Sequence, residues 1–149
     1  MTLFSRSAGK EDDARRLGAD HIVISSNEQA MEEAASTFDL IIDTVPYVHD
    51  LNPYLATVKI DGVLVLVGYL GPLDEPLNTA PLVYRRKSIA GSLIGGLVET
   101  QEMLDFCGEH ELSSDVEVIQ MADINVAYER MLKSDVKYRF VIDMGSMKK

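Results

Sequence analysis

The chain has 149 residues, and 24 acidic side chains outweigh 14 lysines and arginines to give a formal charge of −10. That balance argues against a nucleic-acid or anionic-membrane partner, so any phosphate recognition must come from a local cluster of cations. At 46% hydrophobic and 26% charged residues the length supports one globular core, and a single cysteine, Cys107, excludes an internal disulfide framework or a cysteine-rich zinc site.

In chain order, short β-branched apolar runs alternate with longer amphipathic stretches, the texture of a parallel sheet flanked by helices, and an α/β class follows. Leu3-Phe4 opens a first strand, and residues 5–9 lead into a charged helix over 10–17 that Gly18 ends. A strand is predicted over 21–24, then a helix for which Ser25-Ser26-Asn27 supplies the cap and which runs through Met31, Ala34 and Ala35 toward Ser36. Residues 38–43 are apolar almost throughout, as a strand buried on both faces requires. Beyond the Thr44-Val45-Pro46 loop come a helix over 49–58, a turn at Asp61-Gly62 and a strand over 63–67 closed by Gly68. The proline-rich stretch 69–81 reads as an irregular loop, followed by Leu82-Val83-Tyr84 and the basic run Arg85-Arg86-Lys87. A strand over 88–94 is broken by Gly95-Gly96, and the rest holds a helix over 99–109, a strand near 116–119, a helix over 123–134 and a strand over 138–142. No apolar run approaches the ~20 residues of a spanning helix, and the N-terminus lacks a signal-peptide layout, so a soluble, cytoplasmic protein without membrane contact is expected.

Three clusters could carry chemistry. Ser5, Arg6, Ser7 and Lys10 put two hydroxyls and two cations in one strand-to-helix turn, where a guanidinium fork, a lysine point charge and free N–H groups suit a phosphate. In dinucleotide-binding folds an acidic residue at this turn selects a free ribose 2′-hydroxyl and an arginine accommodates a 2′-phosphate; no carboxylate appears here before Glu11. A solvated, capped turn is the plain alternative. The second cluster is the pair of strand ends at Thr44-Val45 and Val67-Gly68, where glycine lets a flat ring approach the backbone or merely permits a turn. The third is Gly91-Ser92-Leu93-Ile94-Gly95-Gly96, whose backbone groups could hold a carboxamide. His21, His49 and His110 lack soft ligands at short spacing and read as surface residues, and Cys107 reads as core beside Met103, Leu104 and Phe106. No nucleophile elbow, triad spacing or glycine-rich phosphate loop is present.

The order of these motifs resembles the C-terminal half of a zinc-dependent, NADP(H)-using alcohol dehydrogenase of the cinnamyl alcohol dehydrogenase group, in the medium-chain superfamily. The resemblance rests on Phe4-Ser5-Arg6-Ser7 with Lys10, Leu17-Gly18-Ala19-Asp20, Phe38-Asp39-Leu40-Ile41, Asp61-Gly62 before Val67-Gly68, and 89–96. It continues through 99–107, Ile124-Asn125 with 127–130, and 138–143, spanning nearly the whole chain. It implies that Ser5, Arg6, Ser7 and Lys10 hold the 2′-phosphate of NADP, that Thr44 and Val45 lie near the nicotinamide-side ribose, and that Val67, Gly68, Ser92 and Ile94 surround the nicotinamide. Arg139 is a further phosphate candidate by the same comparison. The family reaction is hydride transfer between NADPH and an aldehyde with a catalytic zinc as Lewis acid, but this chain holds none of the zinc ligands.

Relative to the family, the zinc-bearing catalytic part and the first cofactor-domain strand with its glycine-rich turn are absent, so the chain alone is expected to be inactive. In the order 3-2-1-4-5-6 the absent strand is the centre of the sheet, and each unpaired buried backbone group would cost ~1–3 kcal/mol. The expectation is a partial NADP-binding domain over 1–115, with 116–149 as tail elements that in the family pack on the catalytic part. The gap would be closed by a shift of the chain's first strand or by a segment of another copy, making a homodimer or strand-exchanged oligomer. A self-associating or adenosine-phosphate-binding module without catalysis is the alternative.

Overall fold

The computed structural model describes residues 1–133 and 135–147, and every strand among them pairs in parallel, as helical crossovers between strands require. The chain divides into two compact units, Met1–Ile94 and Gly95–Lys149. The first contains β1 (Thr2–Ser5), α1 (Glu11–Arg16), β2 (His21–Ile24), α2 (Glu28–Glu33), β3 (Phe38–Asp43), α3 (Asn52–Thr57), β4 (Val58–Leu66), α4 (Ala80–Arg85) and β5 (Ser88–Gly91). The second contains α5 (Leu97–Glu109), β6 (Val116–Gln120), α6 (Ile124–Leu132) and β7 (Arg139–Asp143). This is an α/β, Rossmann-like arrangement of parallel strands and flanking helices.

Local chemistry accounts for the helix ends. Acidic Glu11, Asp12 and Asp13 open α1 and Arg15 and Arg16 close it, which complements the helix dipole, and Gly18 then takes φ 96°. The Asn27 side chain accepts the Ala30 N–H at 3.2 Å and so caps α2. The unforeseen helix α4 carries Pro81 in its first turn, where the missing N–H is harmless, so the proline that suggested a loop instead starts a helix.

In the first unit the strands form a β1-β2 pair and a β3-β4-β5 sheet. The core of the larger sheet is Ile41, Leu51, Val58 and Leu64, with Phe4, Phe38, Leu66 and Ile89 packed against it. Strand β4 begins at Val58, earlier than the sequence suggests, because its register shifts between Phe38↔Val58 and Leu40↔Val63. The shift is built at Asp61, with φ 63°, and at Gly62, where a Cβ would fall 2.9 Å from the Asp39 carbonyl oxygen. Arg86 donates to the Asp61 carboxylate through Nε at 2.7 Å and Nη2 at 2.6 Å, holding that carboxyl below its usual range. At the other end, β5 stops at Gly91 although the apolar run continues; Leu93 and Ile94 are exposed.

The Phe4 ring meets Phe38 at 5.3 Å and Tyr54 at 5.4 Å, both edge-on, yet β1 shares no ladder with β3. The closing of the sheet by a shift of β1 is therefore not adopted, and Leu40 and Ile42 on β3 remain exposed.

In the second unit β6 pairs with β7, and Arg130 of α6 forks to Glu117 at 2.8 and 3.2 Å, reaches Asp135 at 3.0 Å and stands 4.9 Å over the Phe140 ring. The predicted end of this helix at Ser134 lies outside the described residues. Cys107, expected in the core, is half-buried on α5 with its sulfur 3.7 Å from that of Met103. Among the described residues no helix is long and apolar enough to cross a membrane.

The end of α3 shows how completely this core satisfies its backbone. Thr57 Oγ1 donates to Tyr54 O at 2.8 Å, Ser36 N to Ala56 O at 3.1 Å, Thr37 N to Thr57 O at 2.8 Å, and the buried Lys87 Nζ to Leu55 O at 2.7 Å. Burial, with the charge of Arg85 nearby, pushes the Lys87 ammonium below its ordinary lysine value. Lys87→Met should lower the unfolding free energy by about 1–3 kcal/mol in urea denaturation, since it strands helix carbonyls in an apolar setting. An unchanged midpoint would mean that water replaces the ammonium there.

Candidate functional site

Strand register builds the first half of the site. Asp43, Leu66 and Gly91 lie side by side in one row across β3, β4 and β5, so the residues that follow each of them leave the sheet at a common carboxyl edge. Hydrogen bonds extend the row: Val67 N and Gly68 N donate to Asp43 O at 2.9 and 3.2 Å, and Ser92 N donates to Leu66 O at 3.0 Å. The structure thus brings together Thr44, Val45, Val67, Gly68 and Ser92. Ile94 is 90% exposed beyond them, and Arg139 opens β7 in the second unit.

Gly68 is required here for a reason the sequence did not disclose. A Cβ on it would stand 2.3 Å from the Val45 carbonyl oxygen, so two backbone segments, rather than backbone and ligand, are in closest approach. Val45 and Val67 leave apolar side chains open at this edge.

The second half is the exit from β1. Ser5 Oγ donates to Ser7 O at 2.8 Å, Ser25 N donates to Ser5 O at 2.8 Å, and Ser26 Oγ donates to Arg6 O at 2.9 Å. The turn is therefore fixed through the end of β2, and Ser26, read from the sequence only as part of a helix cap, is the residue that holds the Arg6 carbonyl. The Arg6 and Lys10 side chains are exposed, and among the described residues neither forms an ion pair. Their neighbours differ: Arg15 is tied to Glu11 at 2.8 Å and Arg16 to Asp13 at 3.7 Å. One turn of an acidic protein therefore presents two uncommitted cations and a serine, a donor set that fits a phosphate.

His49, expected at the surface, is instead a partly buried partner of Asp43, with Nε2 3.0 Å from Oδ2. No spacing rule pairs a strand-end aspartate with a histidine in the following loop, so the contact had no sequence signal. Among the described residues no group of three or more His, Cys, Asp or Glu side chains could hold a metal ion, so the donors present do not fit a zinc centre.

Parallel strands that deliver their carboxyl ends to one edge, in a unit that also carries a cationic strand-to-helix turn, have the architecture of a nucleotide-binding α/β domain. Residues 1–109 match the family described as zinc-binding dehydrogenase, and the chain belongs to that family of oxidoreductases. It is 51% identical over 148 residues to cinnamyl alcohol dehydrogenase 3 of Arabidopsis thaliana, a match covering 98% of this chain and 39% of that protein. The fold superimposes on a cinnamyl alcohol dehydrogenase from Sorghum bicolor with a TM-score of 0.89 at 43% identity, covering 99% of this chain and 42% of the other. A cinnamyl alcohol dehydrogenase from Helicobacter pylori, complexed with NADP(H), matches with a TM-score of 0.79 at 33% identity over 97% of this chain and 41% of that one. The chain thus spans about two fifths of the length of the relatives it matches.

Two glycines test the geometry of the edge. Gly68→Ala should lower stability by about 1–3 kcal/mol, because backbone must move to admit the methyl group. Gly9→Ala, whose Cβ would meet nothing nearer than Ser7 Oγ at 3.9 Å, should stay within about 0.5 kcal/mol of the parent. Equal urea midpoints for the two variants would refute the close approach of Val45 and Gly68.

Proposed function

We propose that this chain supplies part of the NADP(H) site of an alcohol dehydrogenase acting on an aldehyde and its alcohol. The observation that carries the reading is the pair of uncommitted cations, Arg6 and Lys10, on one serine-bearing turn in a chain of charge −10. Arg6 offers a planar fork and Lys10 a point charge to the 2′-phosphate, with Ser5 shaping the turn and Ser7 adding a hydroxyl. At the sheet edge Thr44 and Val45 would line the nicotinamide-side ribose, and Val67, Gly68, Ser92 and Ile94 the nicotinamide. Arg139 would add a phosphate contact. Bound there, the cofactor supplies a hydride; the chain's own residues bind and orient it and, through Val45 and Val67, exclude water from one side. The NADP(H) in the Helicobacter pylori relative and the cinnamyl alcohol dehydrogenase relatives support the choice of cofactor and chemistry. With no zinc donor set among the described residues, the chain by itself is expected to bind without turning over substrate.

A second reading concerns assembly and is favoured by the open strand edges. Among the described residues the outer edges of β1 and β3 are unpaired and β3 shows Leu40 and Ile42 to solvent, while Leu93 and Ile94 extend an exposed apolar run past β5. Self-association through such edges, as a homodimer or by strand exchange in a cytoplasmic setting, would cover them, and residues 116–149 would pack on elements outside this chain.

In isothermal titration, adenosine 2′,5′-bisphosphate should bind the parent more tightly than adenosine 5′-monophosphate does, and Arg6→Ala should weaken the bisphosphate about tenfold, the worth of one charge-assisted contact. Equal binding by parent and variant would dispose of the phosphate corner. In light scattering over a dilution series the mass should exceed that of one chain at the higher concentrations; a single-chain mass throughout would overturn the assembly reading.

A further inference from the structure

The partly buried Asp43–His49 contact is not used by the cofactor reading, yet it ties together the residues that reading places at the nicotinamide end. Asp43 closes β3 with its side chain 9% exposed, and each of its three oxygen atoms has a different partner. Its carbonyl oxygen accepts Val67 N and Gly68 N, Oδ1 accepts Val45 N at 2.9 Å, and Oδ2 meets His49 Nε2 at 3.0 Å. The His49 ring packs on a further side, where it meets that of Tyr54 on α3 edge-on at 5.7 Å; Nδ1 lies 2.8 Å from Tyr47 O, an acceptor that it bonds only when both ring nitrogens carry hydrogen. The loop from Thr44 to Val48 is thereby closed on itself, with Val45 O pressed against Gly68.

We propose that Asp43 and His49 form a positioning pair that sets this loop against Gly68, so that Val45 and Gly68 present one fixed surface at the carboxyl edge. The carboxylate alone bonds its near neighbour Val45 and would be free to rotate; the histidine, itself packed on α3, removes that freedom. The role goes beyond the cofactor assignment but rests on it for its ligand: NADP should feel the pair, whereas adenosine 2′,5′-bisphosphate, held at the β1 turn, should not.

The test uses the 149-residue chain with two variants. His49→Gln keeps an N–H donor able to reach Asp43, and His49→Phe keeps a ring edge for Tyr54 but has no donor. Affinities for NADP and for adenosine 2′,5′-bisphosphate are measured together with amide hydrogen exchange at Val45. His49→Phe should weaken NADP about fivefold, leave the bisphosphate unchanged and speed Val45 exchange about fivefold, the loss expected for one hydrogen bond, and His49→Gln should recover most of both. Equal weakening of both ligands, as general loosening would give, overturns the proposal, and so does unaltered Val45 exchange. If the parent binds neither ligand, the cofactor reading fails by itself, and Val45 exchange in His49→Phe still decides the positioning role. Should that variant not fold, the parent's imidazole 1H–15N spectrum decides: a slowly exchanging hydrogen on Nε2 supports the pair, and a rapidly exchanging one overturns it.

Discussion

One apolar row governs the larger sheet. Ile41, Leu64 and Ile89 stand abreast on β3, β4 and β5, and Leu64 is wholly buried while Ile41 is nearly so. Because side chains alternate faces along a strand, slipping any of the three by one residue would carry its apolar member out of the core. Burial of that row therefore fixes register, and register places Asp43, Leu66 and Gly91 abreast two residues later. The common edge from which Thr44, Val67 and Ser92 emerge is a consequence of core packing and needs no separate device.

The two ends of this sheet are treated differently. At the amino end the register jumps, and polar handles absorb the irregularity: Lys59 reaches Asp39 at 2.8 Å and Arg86 forks to Asp61. Those pairs are exposed and contribute little to stability, but the Arg86 fork lies on Asp61, the residue whose left-handed conformation the shift needs. At the carboxyl end the ladder runs without a shift from Leu40↔Val63 to Asp43↔Leu66 and continues into Val67 and Gly68. Irregularity is confined to the end away from the candidate site.

What could be read from the sequence follows the same division. Strands 21–24 and 38–43 were legible to the residue because an apolar run between turn residues leaves few alternatives. The start of β4 was not, since Asp61-Gly62 looks like a turn until Arg86, distant in sequence, is seen bonded to Asp61 in the strand. The helix α4 was hidden by Pro81, whose meaning depends on whether it starts or interrupts a turn. The cationic turn at Arg6 and Lys10 stood out because cations next to serines are conspicuous in an acidic chain. The roles of Ser26 and His49 did not, because each depends on a partner brought near only by the fold.

The two halves of the candidate site rest on supports of unequal strength. Arg6 and Lys10 follow β1, which belongs to a two-stranded pair, and such a pair is marginal on its own in water. One link to the larger sheet is Phe4, one residue before Ser5, whose ring meets Phe38 of β3 and Tyr54 of α3 edge-on. Tyr54 also meets His49, which holds Asp43. A continuous path of packed rings and one polar contact thus leads from the cationic turn to the strand ends that carry Val45 and Gly68. At a net charge of −10 the rest of the molecule repels a phosphate, but beyond about 8–10 Å that field is screened at physiological ionic strength. Recognition of an anion is then decided by the nearest cations, and their placement depends on how firmly Phe4 seats the smaller sheet on the larger.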